Sequence, residues 1–222
     1  MKKLKFITIE GGDGAGKSTF IPFIEEFLKS KGEEVILTKE PGGTPLGDHL
    51  RKFLLEHKMD TMAETLLMFA ARAQHIKDVI EPALKDGKWV ICDRFTDSTY
   101  AYQSVAKGLP ESVIKNLQDL VQKDLKPGLT FVFDVPLEIG KQRLNKTGKI
   151  LDKFEREGDD FKERVNLGYK NIVKKNPARC KLIDSSKAVE ETKEQVLIIL
   201  NDFFKENKGT WCAFLHVINQ SL

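Results

Sequence analysis

Eight consecutive residues, Gly11-Gly12-Asp13-Gly14-Ala15-Gly16-Lys17-Ser18, fit the pattern G-x-x-x-x-G-K-[ST]. The chemistry of that pattern is phosphate binding. Glycines let backbone N–H groups turn toward an anion and approach it closely. A helix that begins at the lysine adds its positive N-terminal end. Lys17 supplies a mobile cation to a transferring phosphate, and Ser18 offers a hydroxyl to Mg²⁺. The pattern predicts that Gly11, Gly12, Asp13, Gly14, Ala15, Gly16, Lys17, Ser18 and Thr19 hold the phosphates of ATP. It does not by itself separate a kinase from a GTPase or a motor ATPase. A guanine-reading N-K-x-D is missing; Asn145-Lys146-Thr147-Gly148 comes near it, but Gly148 lacks the carboxylate.

A second pair, Asp93-Arg94, follows the apolar run WVIC at 89–92. In open α/β sheets ligands bind at the carboxyl edge of the strands. There Asp93 can hold Mg²⁺ through water and Arg94 can clamp a phosphate. The plain alternative for such a pair is a surface salt bridge.

These residues need elements to position them. Short β-branched and aromatic runs at 5–10, 34–38, 89–92, 130–135 and 180–184 read as strands. Helical periodicity covers 17–31, about 46–57, about 61–84, 98–106, 111–124, 137–145, a stretch ending near 175, and 189–206. Residues 39–45 (KEPGGTP) read as a loop, and 146–158 as a charged one. Alternating strands and helices imply right-handed βαβ units. The expected fold is α/β, with a five-stranded parallel sheet covered by helices on both faces.

The 222 residues suit one domain, expected at 1–206, followed by an apolar tail at 207–222 that is assigned no chemistry. That tail is expected to pack on the domain or a partner subunit, with disorder as the alternative. A net charge of +3 does not argue for nucleic acid or a membrane as partner. Three scattered cysteines form no C-x-x-C pair, and the first apolar run stops at Ile9, too short for a signal core or a membrane span. A cytoplasmic setting is expected.

At this point the chain closely resembles the thymidylate kinases, especially their bacterial branch. The resemblance runs from Lys5 to about Phe203. Its carriers are the phosphate loop with acidic Asp13, E-P-G-G-T at 40–44, LLMFAARAQH at 66–75, and DRFTDSTYAYQ at 93–103. It implies a three-layer P-loop kinase fold with a short basic lid, phosphorylation of dTMP by ATP and Mg²⁺ on the route to dTTP, and a homodimer. The dimer would be built from helices in the 46–84 region, with 98–124 as a further candidate. Nearest rivals are a kinase of another nucleoside or nucleotide and a P-loop switch protein.

The resemblance also implies roles. Asp13 would meet the sugar 3′-hydroxyl or the acceptor phosphate. Arg51 and Arg94 would hold that phosphate. Glu40 and Pro41 would shape the loop over the nucleoside. Ser98, Tyr102 and Gln103 would line the base and sugar pocket, with Tyr102 reading the missing 2′-hydroxyl. Phe69 and Arg72 share a helix face at i, i+3; Phe69 would stack on the base while Arg72 donates to a carbonyl such as O4. A phenylalanine on a helix ordinarily belongs to the core, and only the resemblance assigns it to the base. One family branch carries arginine just after the loop's acidic residue. This chain has Gly14 there, so its cations are expected from the lid at about 143–158: Arg143, Lys146, Lys149, Lys153 and Arg156. Arg143, Lys153 and Arg156 are the candidates for the transition state. Lys153 stands where arginine is usual, and a lysine lacks the planar fork.

Overall fold

Two-residue alternation sorts the strand side chains onto two covered faces. The computed structural model describes residues 4–148 and 150–219, with side chains through residue 207. Strands β1 (Phe6–Gly11), β2 (Val35–Lys39), β3 (Trp89–Asp93), β4 (Leu129–Asp134) and β5 (Cys180–Asp184) pair in parallel in the order β2-β3-β1-β4-β5. Ile7, Ile9, Ile91, Phe131 and Phe133 point to one face. There they pack with Phe20, Ile24 and Leu28 of α1 (Lys17–Ser30) and with Val196, Leu200 and Phe203 of α9 (Val189–Asn219).

Alternate residues point to the other face. Phe6, Val90 and Cys92 meet Ile76, Ile80, Ala83 and Phe95. Val132 and Cys180 meet Val165, Tyr169 and Ile172 of α8 (Asp159–Lys175). This face also buries polar side chains. Thr8 and Thr130 share a hydrogen bond of 2.7 Å, and Glu10 is fully buried. The remaining helices are α2 (Pro45–Glu56), α3 (Thr61–His75), α4 (Glu81–Lys85), α5 (Thr96–Thr99), α6 (Glu111–Gln122) and α7 (Leu137–Lys146).

The five strands fall where their residue types predict, within a residue or so at each end. Three helical stretches differ from expectation. The periodic stretch 61–84 divides into α3, a π-type segment Ile76–Ile80 and α4. Pro82, in the first turn of α4, has no N–H to give residue 78, so the regular ladder fails there. The stretch 98–106 becomes α5 followed by a π-type segment Tyr100–Ala106. Wide turns of that kind re-aim side chains; here Tyr102 and Gln103, adjacent in sequence, both line one cavity. The backbone of α9 also continues past 206 to Asn219. The apolar side chains of the 211–222 tail lie outside the described ones. Among the described residues no helix is long and apolar enough to cross a membrane.

Register brings the chemical residues to one edge. Ile9 pairs with Asp93, Lys39 with Asp93, and Gly11 with Phe133. The phosphate loop and the Asp93-Arg94 pair therefore leave adjacent strands at their carboxyl ends.

Candidate active site

The phosphate loop is a turn whose backbone demands glycine at several positions. Gly14 has φ +74°, and a Cβ there would lie 2.2 Å from the carbonyl oxygen of Gly140 in α7. An arginine at this position would collide with backbone, so the loop cannot carry its own guanidinium. Gly16 caps α1 in the left-handed conformation, φ +85°. Lys17 folds back and donates to the carbonyls of Gly11 and Gly12, each at 3.0 Å. Its pKa is lowered to about 8, first by burial and then by Arg94; Asp93, Asp13 and Glu10 oppose the shift.

Whether this edge suits Mg²⁺ can be judged from its donors. Asp93 Oδ1 is buried and has no hydrogen-bond partner among the described residues, and Ser18 is exposed in the first turn of α1. Among the described residues no three His, Cys, Asp or Glu side chains gather into a cage. A hard cation held by phosphate oxygens, water, one carboxylate and one hydroxyl fits that donor set.

Next to the loop lies a cavity of about 680 Å³, counted to its open mouth. Asp13, Glu40, Pro41, Arg51, Arg72, Arg94, Ser98, Tyr102 and Gln103 all line it. The structure thus gathers nine of the ten sequence-predicted acceptor residues around one space. Arg94 sits at its loop end. Nη2 donates to Asp13 Oδ1 at 3.0 Å, and Nη1 donates to Ser98 Oγ and Tyr169 Oη at 3.2 and 3.0 Å. Glu10 lies beneath them, accepting from Ser98, Tyr169 and the Phe95 amide. Burial, then Asp97, pushes Glu10 up to about 7, while Ser98 and Arg94 restrain it.

At the far end, Glu40 orients Arg72 rather than facing the cavity alone. Arg72 Nε donates to Glu40 Oε2 at 2.7 Å, and Nη2 donates to Thr99 at 3.2 Å. Nη1 is left buried and, among the described residues, unpartnered. The other Glu40 oxygen meets His75 Nδ1 at 2.9 Å, and His75 Nε2 meets Thr38 at 2.6 Å. Gly43 makes that packing possible: at φ +77°, its Cβ would lie 2.6 Å from His75 Nε2. Arg51 donates to the Pro41 carbonyl at 3.0 Å. Gln103 Nε2 donates to buried Glu64 at 2.9 Å, leaving Gln103 Oε1 buried and without a partner among the described residues.

Phe69 is a correction. It does not line the cavity; it is buried, with the Arg72 guanidinium 4.8 Å from its ring centre. Met68 takes the lining position instead. At i, i+4 Met68 and Arg72 share the cavity side of α3, and the i, i+3 residue is turned into the core. The lid cations also separate. Lys153 is buried, donating to Glu64 at 2.6 Å and to the His57 carbonyl at 2.9 Å, so in this arrangement it is engaged away from the phosphate loop. Arg143 rests on the phosphate loop, reaching the Gly14 carbonyl at 3.5 Å and that of Ser185 at 2.7 Å. Arg156 and Lys146 are exposed. Lys149 lies outside the described residues.

Sequence reasoning missed several contributors. Phe95 and Phe154 line the cavity, and Glu10, Glu64, His75 and Tyr169 support it from behind. A parallel sheet covered on both faces buries both sides of β1, Glu10 included, and the expected fold is in that sense a warning of a buried carboxylate. Nothing local marks the others.

The chain as a whole is similar to known proteins. Residues 9–196 match the family model described as thymidylate kinase. The chain is 46% identical over 212 residues to the thymidylate kinase of Nitrosomonas europaea, covering 95% of this chain and 98% of that one. It is 48% identical over 199 residues to the thymidylate kinase of Methylobacillus flagellatus, covering 90% and 98%. The crystal structure of thymidylate kinase from Ehrlichia chaffeensis superposes with a TM-score of 0.72 at 35% identity, covering 88% of this chain and 97% of that one.

Proposed function

The chain belongs to the thymidylate kinase family and phosphorylates dTMP with ATP, and from that premise we propose how its own residues divide the work. The observation that carries the acceptor assignment is a pair of buried atoms without a partner among the described residues, a donor, Arg72 Nη1, and an acceptor, Gln103 Oε1, on two residues that line one cavity. A thymine edge offers O4 to the first and N3–H to the second; cytosine inverts both. An unsatisfied buried polar atom costs on the order of 1–3 kcal/mol, which a matching base would recover. Met68 supplies a polarizable apolar surface for the ring. Tyr102 crowds the 2′ position, and Arg51 and Arg94 hold the monophosphate. Asp13 takes the 3′-hydroxyl or positions the phosphate.

The acceptor phosphate oxygen attacks the γ-phosphorus in line, and the bond to the ADP oxygen breaks. No general base is required, because the attacking oxygen is already an anion. Lys17, Arg94 and Arg143 neutralise charge spreading over the transferred group. Mg²⁺, when bound, supplies further charge neutralisation; Ser18 and Asp93 are its proposed protein ligands. Catalysis is positioning and electrostatics. The kinase domain spans 1–206, and its lid 143–158 contributes Arg143, with Lys153 and Arg156 as residues that lid movement would bring into play.

Coupled ADP-release assays across dTMP, dUMP, dCMP, dGMP and thymidine test the acceptor assignment. The expected order of kcat/KM places dTMP first and dUMP, which shares the same edge, next. Preference for any other acceptor overturns the roles of Arg72 and Gln103. ADP release without an acceptor would favour the switch-protein reading.

A homodimer and a cytoplasmic setting complete the proposal. Met62 and Leu66 on α3 and Leu120 on α6 expose apolar side chains on two helices that touch each other, and a second copy could cover them. Sedimentation velocity at micromolar concentration should give a dimer, and Leu66→Arg should shift it toward monomer. A monomeric wild-type protein would refute this. Cys92 and Cys180 are free and buried, as a reducing compartment allows.

A further inference from the structure

Glu64 is fully buried on α3 and is not among the residues lining the acceptor cavity. Its carboxylate accepts three side-chain bonds. Lys107 Nζ donates to Oε1 at 2.7 Å, Lys153 Nζ to Oε2 at 2.6 Å, and Gln103 Nε2 to Oε1 at 2.9 Å. Burial would push this carboxyl up, but the bonds from Lys107, Lys153 and Gln103 hold it below the usual range. Glu64 is therefore an anion, and an anionic carboxylate can only accept.

That restriction passes to its neighbour. A glutamine amide has one accepting end and one donating end of nearly the same shape. Because Glu64 can only accept, it takes the NH₂ end of Gln103. The end left over is Oε1, the atom without a partner among the described residues. We propose that Glu64 selects thymine over cytosine by fixing the orientation of the Gln103 amide, although it touches no part of the nucleotide itself. The inference rests on the reading of Arg72 and Gln103 as the base-edge contacts. Thymine and uracil carry a proton on N3 and can donate to Oε1. Cytosine presents a bare N3, whose lone pair would face an oxygen that cannot turn away. Were the amide free to rotate, the NH₂ group could serve cytosine N3 instead.

Glu64 would thus be a positioning residue with a signature in selectivity. In Glu64→Gln the new amide can donate or accept, so Gln103 can adopt either orientation. The kcat/KM ratio of dTMP to dCMP should fall about tenfold, the worth of about one hydrogen bond. The ratio should still favour dTMP, because Arg72 continues to reject the cytosine amino group. The ratio of dTMP to dUMP should not change, since both carry N3–H. A general loosening of the cavity would not spare one ratio and move the other.

Two further variants guard against loss of folding. Glu64→Asp keeps an anion for both lysines but retreats from Gln103 by one methylene, and should lower the dTMP to dCMP ratio in the same direction. Lys107→Gln removes a different partner of Glu64 and should leave the ratio within about twofold. If wild-type protein shows no preference for dTMP over dCMP, the base-edge reading itself fails. If it shows the preference, and folded Glu64→Gln or Glu64→Asp keeps it unchanged, the role of Glu64 alone is overturned.

Discussion

Replacing Lys17 by methionine should lower turnover by about three orders of magnitude while leaving the fold intact. Lys17 is the loop's own cation, and among the described residues its Nζ is tethered only to the carbonyls of Gly11 and Gly12. Those bonds are replaceable when phosphates arrive, so the lysine is held ready without an anionic partner to displace. Methionine keeps the length and apolar stem but cannot carry charge. Thermal unfolding should shift little, since the change removes a cation that burial already disfavours. Near-normal turnover in a folded variant would sink the assignment.

The same residue should shape the alkaline limb of the pH profile. A lysine at about 8, down from its ordinary value, is charged below that pH and mostly neutral above it. ATP phosphates favour the charged form, so binding above pH 8 requires uptake of a proton. In the wild-type protein kcat/KM for ATP should decline as pH rises through about 8, because that parameter reports the free enzyme. Lys17→Met has nothing to titrate there, so its residual activity should lack this limb. An alkaline limb that persists unchanged in the variant would assign it to another group.

How much of this was legible beforehand follows the range of the forces involved. Strands announced themselves because a covered parallel sheet demands continuous apolar runs, such as WVIC before Asp93. The phosphate loop was legible because backbone geometry there dictates glycine: the Gly140 carbonyl beside Gly14 permits no side chain. The breaks at Ile76 and Tyr100 were not legible, since periodicity over a dozen residues hardly separates π-type turns from α-helix.

Inside the cavity the limit was one residue of helical phase. Spacings of three and four both place two side chains on one face, and only packing decides that Met68 lines the cavity while Phe69 supports Arg72. Long-range partners were invisible for a different reason. Glu64 meets Lys107 and Lys153 across 43 and 89 residues of sequence, and no local pattern encodes such a meeting. The lid suffered likewise: its basic residues were evident, but their division between the Gly14 carbonyl and Glu64 depends on tertiary contacts.

Removing Arg94 should cost about as much activity as removing Lys17, and two different removals should differ in stability. Arg94 joins Asp13 to Ser98 and Tyr169, and its guanidinium lies 5.1 Å from the Tyr102 ring centre. The acceptor phosphate would compete with Asp13 for this fork. Arg94→Ala should therefore lower kcat/KM for dTMP about 10³-fold, with KM for ATP nearly unchanged. Arg94→Lys should recover about tenfold, since it restores charge but not two-pronged geometry. The backbone adds an independent readout. Arg94 has φ +67°, a left-handed conformation that costs a residue with a Cβ about 1 kcal/mol and glycine almost nothing. Arg94→Gly should consequently be as inactive as Arg94→Ala yet more stable by about 1 kcal/mol in urea unfolding. An alanine variant retaining a tenth of wild-type kcat/KM would remove Arg94 from the phosphate clamp. A glycine variant no more stable than alanine would mean that the unusual backbone at Arg94 carries no strain, and that the side chain alone explains why arginine stands there.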